Sequence, residues 1–393
     1  MRFLNQVLAV TRLNILNLPR RLATSVVAIV GIMAVVVVFA AVLSMARGFE
    51  RTMSLTGADD IAIVLRGGAT AELNSGLSNE QAIIISGTPG VLKDGNDSIA
   101  SAELFVLVDI RKRSNNKDAN VTLRGIQDGA FAVRENLEIV EGRMFETGKN
   151  EMIVGRGAQQ QFIGLDTGAT IRLGRVDWQV VGAFEDGGSV TESEIWTDVR
   201  VLQDAYRRGN SFQSVRVKLE SADSLNAFRQ TLADDPRVDV DVYSERDYFA
   251  SQAEGLTQFI ELLGYPITFL MAIGAVFGAL NSMYASVSAR GTEIATLRAL
   301  GFGPFAVLIS TIVESTLLAL VGGVLGGVLA FVVFNGLSVS TLAGNTFSQV
   351  VFDFAVTPDL FVQGITVALV IGLVGGLLPA LRAARLPVAQ ALR

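Results

Sequence analysis

The chain contains no cysteine and no histidine. Disulfides, thiolate nucleophiles, Cys or His metal ligation and a Ser-His-Asp triad are therefore excluded, and with them most familiar enzyme centres. Charged residues are scarce as well, at 18% against 50% hydrophobic, which is too apolar for a soluble enzyme of 393 residues. The apolar residues must gather in membrane-length runs. A helix rising about 1.5 Å per residue needs roughly 20 of them to cross a hydrocarbon core about 30 Å thick. Four stretches qualify. Leu22 to Ala46, Leu262 to Ala289 and Leu360 to Leu381 carry no charge, and Phe302 to Phe352 carries only Glu314. The last stretch is too long for one span, and Asn335-Gly336 followed by LSVSTLAGNTFSQ marks its exit into a loop. The first run exceeds the length of a signal-peptide core and reads as an uncleaved anchor.

Orientation follows from the cationic flanks. Arg2, Arg12, Arg20 and Arg21 precede span one, Arg290 and Arg298 lie between spans two and three, and Arg382, Arg385 and Arg393 follow span four. Opposite them, residues 335 to 359 carry Asp353 and Asp359 and no Lys or Arg. Both termini are thus expected in the cytoplasm. Phe3, Val7, Val10 and Leu13 recur at helical intervals, as in an interfacial helix lying flat before the first span.

Residues 47 to 260 differ in composition, with 23 Lys and Arg against 33 Asp and Glu. An acidic domain on the far side of the membrane excludes a nucleic-acid role. Short β-type runs recur at 61–66, 82–85, 104–110, 120–126, 169–173, 178–184 and 214–219, and helical patterns fall at 156–162, 199–207 and 221–233. Together they predict an α+β domain in two lobes. From Glu245 a helical pattern runs through Ile260 straight into span two, as a stalk would. Asp94-x-Asn96-x-Ser98 lacks the Gly and the bidentate Glu of a calcium loop and reads as a polar turn. Gly148-Lys149 lacks the first Gly and the Ser or Thr of a phosphate loop. No metal site and no directly bound cofactor is expected, and any ATP must be hydrolysed elsewhere.

Within the spans, Gly274/Gly278, Gly322/Gly326, Gly323/Gly327 and Gly372/Gly376 place small residues four apart, which predicts close helix packing within or between subunits. Glu314 lies about 14 Å into span three at helical rise. A charge there costs on the order of 2.5–3.5 kcal/mol, so it must face protein; Asn281 or Ser282 is the expected partner, in a static bond or one that changes between states.

The loop between spans two and three reads A-R-G-T-E-I-A-T-L-R-A-L-G from Ala289 to Gly301. It resembles the R-x-x-E-I-x-x-L-R-A-L-G loop of the MacB/FtsX-like permease family. The tail from Pro379 to Arg393 resembles the family's P-A-x-x-A-A-x-x-x-P-x-x-A-L-R, with Pro387 one position early. Glu141-Gly142-Arg143-Met144-Phe145, Val154-Gly155, Gly168 and Val180-Val181-Gly182 resemble its periplasmic core domain. The expected fold is an α-helical membrane protein with four transmembrane helices and an α+β extracytoplasmic domain inserted between the first and second spans. Its parts are an interfacial helix at 1–21, span one at 22–46, the outer domain at 47–260, and a three-helix permease domain at 261–393 with a coupling loop at 289–304.

The resemblance implies a non-catalytic permease of a bacterial inner-membrane ABC transporter. Its expected partners are a separate cytoplasmic ATPase holding ATP and Mg, a second copy of the permease and, in efflux systems, a periplasmic adaptor. Arg290, Glu293, Ile294, Leu297, Arg298, Leu300 and Gly301 are the expected coupling residues. Ile294, Leu297 and Leu300 would share one side of a short helix that seats in a groove on the ATPase. A solvated connector obeying the orientation rule is the plainer alternative. Family members act on macrolides, peptides, lipoproteins or haem, or regulate cell-wall hydrolases. Force transmission to an exporter, regulation of an external hydrolase, and an anchored sensor without an ATPase all stay open.

Overall fold

A computed structural model describes residues 2–17, 22–134, 136–342 and 348–387. The helices are α1 (Arg2–Asn17), α2 (Leu22–Leu55), α3 (Asn79–Ser86), α4 (Ala130–Val133), α5 (Arg156–Gln161), α6 (Val199–Ala205), α7 (Leu225–Ala233), α8 (Glu245–Ala289), α9 (Gly291–Ala299), α10 (Pro304–Phe334) and α11 (Pro358–Ala384). The strands are β1 (Ile61–Arg66), β2 (Lys93–Asp94), β3 (Asp97–Ser98), β4 (Ala100–Arg111), β5 (Asp118–Ile126), β6 (Glu138–Gly142) and β7 (Glu151–Gly155). They continue with β8 (Thr170–Leu173), β9 (Val176–Glu185), β10 (Ile195–Asp198), β11 (Ser214–Lys218), β12 (Val240–Ser244), β13 (Ser338–Leu342) and β14 (Gln349–Asp353).

The chain forms two compact units: a helical unit of residues 1–47, 259–337 and 354–393, and an α+β unit of residues 48–258 and 338–353. In the helical unit, α2, α8, α10 and α11 are each long and apolar enough to cross a membrane, the four such helices among the described residues. Pro304 and Pro358 start α10 and α11 at positions where the missing N–H is not needed, and the Thr357 side chain caps α11 by accepting from Leu360 N–H. Both α2 and α8 continue without a break into residues of the α+β unit.

Among the described residues of the α+β unit, ten strands join in one mixed sheet, β12-β1-β11-β4-β5-β10-β7-β9-β6 with β8 on β9. Two lobes were the expectation, and β4 is why one sheet forms. Residues 100–103 of this strand pair with β11, and residues 104–111 pair with β5. Its alternation buries Leu104, Val106, Val108 and Ile110 in a core shared with Val64, Leu123, Val154, Trp178 and Val217.

Residues 82–85, which read as a strand, lie in α3. Ser78 caps that helix, accepting from Gln81 N–H while Gln81 Oε1 accepts from Ser78 N–H, a reciprocal start that outweighs the isoleucine run. The segment expected as a plain loop after α10 contains the β13–β14 hairpin, which belongs to the α+β unit. It is docked by Val351 N–H donating to Ser193 Oγ at 2.8 Å and Lys112 Nζ donating to Gln349 Oε1 at 2.6 Å. Asp94 to Ser98 is the tight β2–β3 turn, with Gly95 at φ 61°.

Candidate functional site

In the helical unit, α9 is a nine-residue helix between the two long helices α8 and α10. Its inner face is held by the chain itself. Ile294 is buried with Val287, Val307 and Ala383, so it does not share an outward face with Leu300, which is 72% exposed. Leu297 is half-buried and lines a cleft of about 320 Å³ with Val10, Asn14, Thr296 and Ser310. Arg298 Nη1 donates to the Ala384 and Leu386 carbonyls at 3.1 and 2.7 Å, satisfying oxygens that the end of α11 leaves open. Gly301 closes the turn at φ 94°, a left-handed conformation glycine adopts without a Cβ penalty. Of the expected coupling residues, Glu293, Leu300 and Gly301 are the exposed ones, with Thr292 and Thr296 beside them.

Arg290 is the largest departure from expectation. It is 6% exposed, and its Nη1 donates to Glu314 Oε2 at 2.6 Å. Glu314, itself 4% exposed, therefore takes Arg290 as its partner rather than Asn281 or Ser282. The physical reason is reach: Arg290 directly follows α8, and its long apolar stem carries the guanidinium inward along the protein. Arg290 Nε stands 3.6 Å from Glu293 Oε2, within ion-pair range but too far for a hydrogen bond. One guanidinium thus lies between an acid of α10 and an acid of α9.

Helix α1 packs on α10, with Asn14 Nδ2 donating to Ser310 Oγ at 3.2 Å. Val10 is buried, Val7 half-buried and Leu13 exposed. Arg12 is exposed, and Arg382 lies over the Tyr284 ring, its guanidinium carbon 5.5 Å from the centroid. Arg20, Arg21 and Arg393 lie outside the described residues, as do the side chains of Arg2 and Phe3.

The glycine pairs fall into two groups. A Cβ on Gly322 or Gly326 would come within 2.9 Å of the Ile29 or Met33 carbonyl of α2, and one on Gly323 within 2.8 Å of Ala368 of α11. Gly372 and Gly376 meet Ala319 and Ser315 of α10. These pairs set backbone approach within the unit. Gly274 and Gly278 do not, since among the described residues no atom lies within 4 Å of a Cβ built on either.

The α+β unit holds a cluster that sequence reasoning missed. Arg124, Arg134 and Arg216 are buried with Glu72, Glu103, Glu194 and Glu245. Arg124 donates to Glu194 at 2.6 and 2.7 Å and to Glu72 at 2.7 and 3.0 Å. Arg134 grips Glu103 at 2.8 and 3.0 Å, and Arg216 reaches Glu72, Glu103 and Glu245. Trp196 Nε1 donates to Glu194 at 2.7 Å, and Arg134 stacks 4.8 Å over the same ring. Burial pushes the Glu103 carboxyl up, but Arg134, Arg216 and Arg124 together overcome it and hold it at about 2. Burial and the Arg124 and Arg216 charges likewise compete at Glu72, with the guanidiniums prevailing to keep it well below the usual carboxylate range. The signal available in the sequence is a charge directly beside apolar residues inside each of three strands, Glu103 in β4, Arg124 in β5 and Arg216 in β11. Central strands bury both faces, so such charges need one another. Among the described residues no group of acidic side chains is arranged to hold a metal.

The model of the MacB-like periplasmic core domain matches residues 22–235, and that of the FtsX-like permease C-terminal domain matches residues 266–388. The macrolide export ATP-binding/permease protein MacB of Pasteurella multocida strain Pm70 is 24% identical over 299 residues, 72% of this chain and 44% of that protein. The uncharacterised ABC transporter permease YknZ of Bacillus subtilis strain 168 is 24% identical over 302 residues, 72% of each chain. This chain thus spans less than half of that MacB relative. Among solved structures, the extracellular domain of YknZ from Gram-positive bacteria aligns at a TM-score of 0.36 with 21% identity, over 47% of this chain and 99% of that one. The periplasmic region of MacB from Actinobacillus actinomycetemcomitans aligns at 0.37 with 14% identity, over 53% and 94%.

Proposed function

The chain belongs to the MacB/FtsX-like family of ABC transporter permeases, and on that premise we propose that it is the force-transmitting membrane subunit of a complex driven by a separate cytoplasmic ATPase. The observation that carries this reading is the short helix α9, exposed at Glu293, Thr296 and Leu300 and braced from behind by Arg290–Glu314 and by Arg298 on the tail carbonyls. A helix fixed on one face and bare on the other suits a groove on a partner. ATP and Mg are held by that partner, and this chain performs no chemistry. Closure of two ATPases in a permease homodimer displaces α9 and, through it, the end of α8. The α+β domain, on the periplasmic side, responds to that displacement; an adaptor and the exported or extracted substrate are met there.

Topology and partnership are tested together. The chain lacks cysteine, so single cysteines can be introduced cleanly. Asn96→Cys should react in intact cells with an impermeant maleimide, and Thr292→Cys only after lysis. Co-expression with candidate ATPases should recover one of them on a permease tag, and Leu300→Asp should reduce that recovery. Outside labelling of Thr292→Cys would refute the reading.

A further inference from the structure

A cleft of about 720 Å³ on the α+β unit is lined mainly by arginines and side-chain amides, and we propose that it binds an anionic sugar, a saccharide bearing a phosphate or a carboxylate. The cleft lies wholly within that unit, so the proposal stands whether or not the chain transmits force.

The cleft forms where α6 packs on β5 and meets the turn that leads into β11. Gly125 of β5 lets the helix come down on the sheet, since a Cβ there would fall 2.8 Å from Val199 Cα. Asp198 starts the helix by accepting from Arg200 N–H at 2.6 Å. At its end Arg208 N–H reaches the Gln203 carbonyl at 2.8 Å and Arg207 N–H the Asp204 carbonyl at 3.2 Å, a closure in which glycine usually holds the left-handed position. Here Arg207 holds it, at φ 54°, so a long cation is kept where the backbone favours glycine. Gln203, 7% exposed, ties the turn back by donating from Nε2 to the Ser211 carbonyl at 3.0 Å. Phe212 bonds to Leu77 in both directions, at 2.7 and 2.9 Å. The walls are therefore fixed by the fold.

Ligand pockets of about 300–1,000 Å³ are lined predominantly by apolar side chains. Val199 and Phe212 are the large apolar side chains of this lining, and the others are polar, which calls for a polar ligand. Arg200 and Arg207 line the cleft and Arg208 adjoins it; all three are exposed, and among the described residues none is paired with a carboxylate. Asp204 is the acid in the lining, so cations prevail here although acids outnumber bases 33 to 23 over residues 47–260. The N–H groups of Gly209 and Asn210 are also open among the described residues, in a turn with left-handed residues at 207 and 209, the kind of concavity that holds anions. Guanidiniums bind phosphate and carboxylate alike through paired N–H groups. Around them Asn79 and Asn210 each offer a donor and an acceptor, as sugar hydroxyls require, and Gln127, whose Oε1 accepts from Ala102 N–H at 2.9 Å, keeps its NH2 to donate. No lining residue belongs to a strand, so an extended peptide finds no sheet edge to join.

The test is titration calorimetry on the full chain in detergent with glucose 6-phosphate, glucuronate, glucose, inorganic phosphate and a hexaglutamate peptide. The two anionic sugars should bind with Kd of about 1 mM or tighter, and at least tenfold more tightly than the other three probes. The double variant R200Q/R207Q, with its fold checked by tryptophan emission, should weaken both at least tenfold. If that variant proves unstable, Arg200→Gln alone decides, because it leaves the left-handed turn untouched. Arg111→Gln, which removes an exposed arginine at the far end of β4, should bind as the wild type does. The proposal is overturned if neither anionic sugar binds, if glucose or inorganic phosphate binds as tightly, or if Arg111→Gln weakens binding as much as the cleft variants. Tighter binding of hexaglutamate would overturn it in favour of an acidic peptide.

Discussion

Replacing Glu103 by Gln keeps the shape of a fully buried side chain and removes one carboxylate facing three guanidiniums. Breaking a buried ion pair from one side costs about 3–5 kcal/mol. Linkage gives a similar figure, because a carboxyl moved from its ordinary 4.5 to about 2 on folding contributes roughly 3 kcal/mol. For a unit of this size each kcal/mol lowers Tm by about 2–4 °C, so the expected drop is about 6–20 °C. The assay is unusually selective. Both tryptophans of the chain, Trp178 and Trp196, are fully buried in the α+β unit, so tryptophan emission from the whole protein in detergent follows that unit alone. The folded pKa lies below the unfolded one, so the stabilisation is complete above about pH 4.5 and is lost as pH falls toward 2. The wild type should therefore lose stability over that window, and Glu103→Gln should lose about 3 kcal/mol less of it. A Tm within 2 °C of wild type, with the same acid slope, would refute the reasoning.

Gly326→Val should destabilise the helical unit by about 1–3 kcal/mol or more through overpacking against α2, seen as a lower aggregation temperature in detergent. Gly278→Ala meets no neighbour among the described residues and should leave that temperature unchanged or raise it slightly, as Ala favours helix by up to about 1 kcal/mol. Ser193→Ala removes the acceptor for Val351 N–H, and at about 1 kcal/mol should speed amide exchange across β14 roughly fivefold. Unchanged exchange there would mean that the bond does not hold the hairpin.

What the sequence disclosed depended on the strength of each local signal. The long apolar runs, the start of the α8 pattern at Glu245, and the strands of β1, β4, β5, β9 and β11 were legible from periodicity alone. The Ala82–Ile85 run was not, because four apolar residues suit either period and only the Ser78–Gln81 cap decides for helix. The β13–β14 hairpin hid in a polar stretch whose strands are fixed by distant partners, Ser193 and Lys112. The coupling loop could be found by its motif, but the motif does not say which charges face inward. Arg290 and Glu314 are 24 positions apart, and Arg298 spends its guanidinium on the tail. Arg124 and Arg216 sit at alternate positions of strands, a placement that ordinarily implies solvent; only the central rank of β5 and β11 in the sheet makes them buried.

The central claim is that α9 engages an ATPase through its exposed face. The most direct measurement is co-purification of the ATPase, with its activity, on tagged wild type and on Glu293→Arg, whose side chain is 53% exposed. The account predicts that wild type recovers an active ATPase and that the variant, still folded by tryptophan emission, loses recovery or activity at least tenfold. Equal recovery and activity in the two would contradict it.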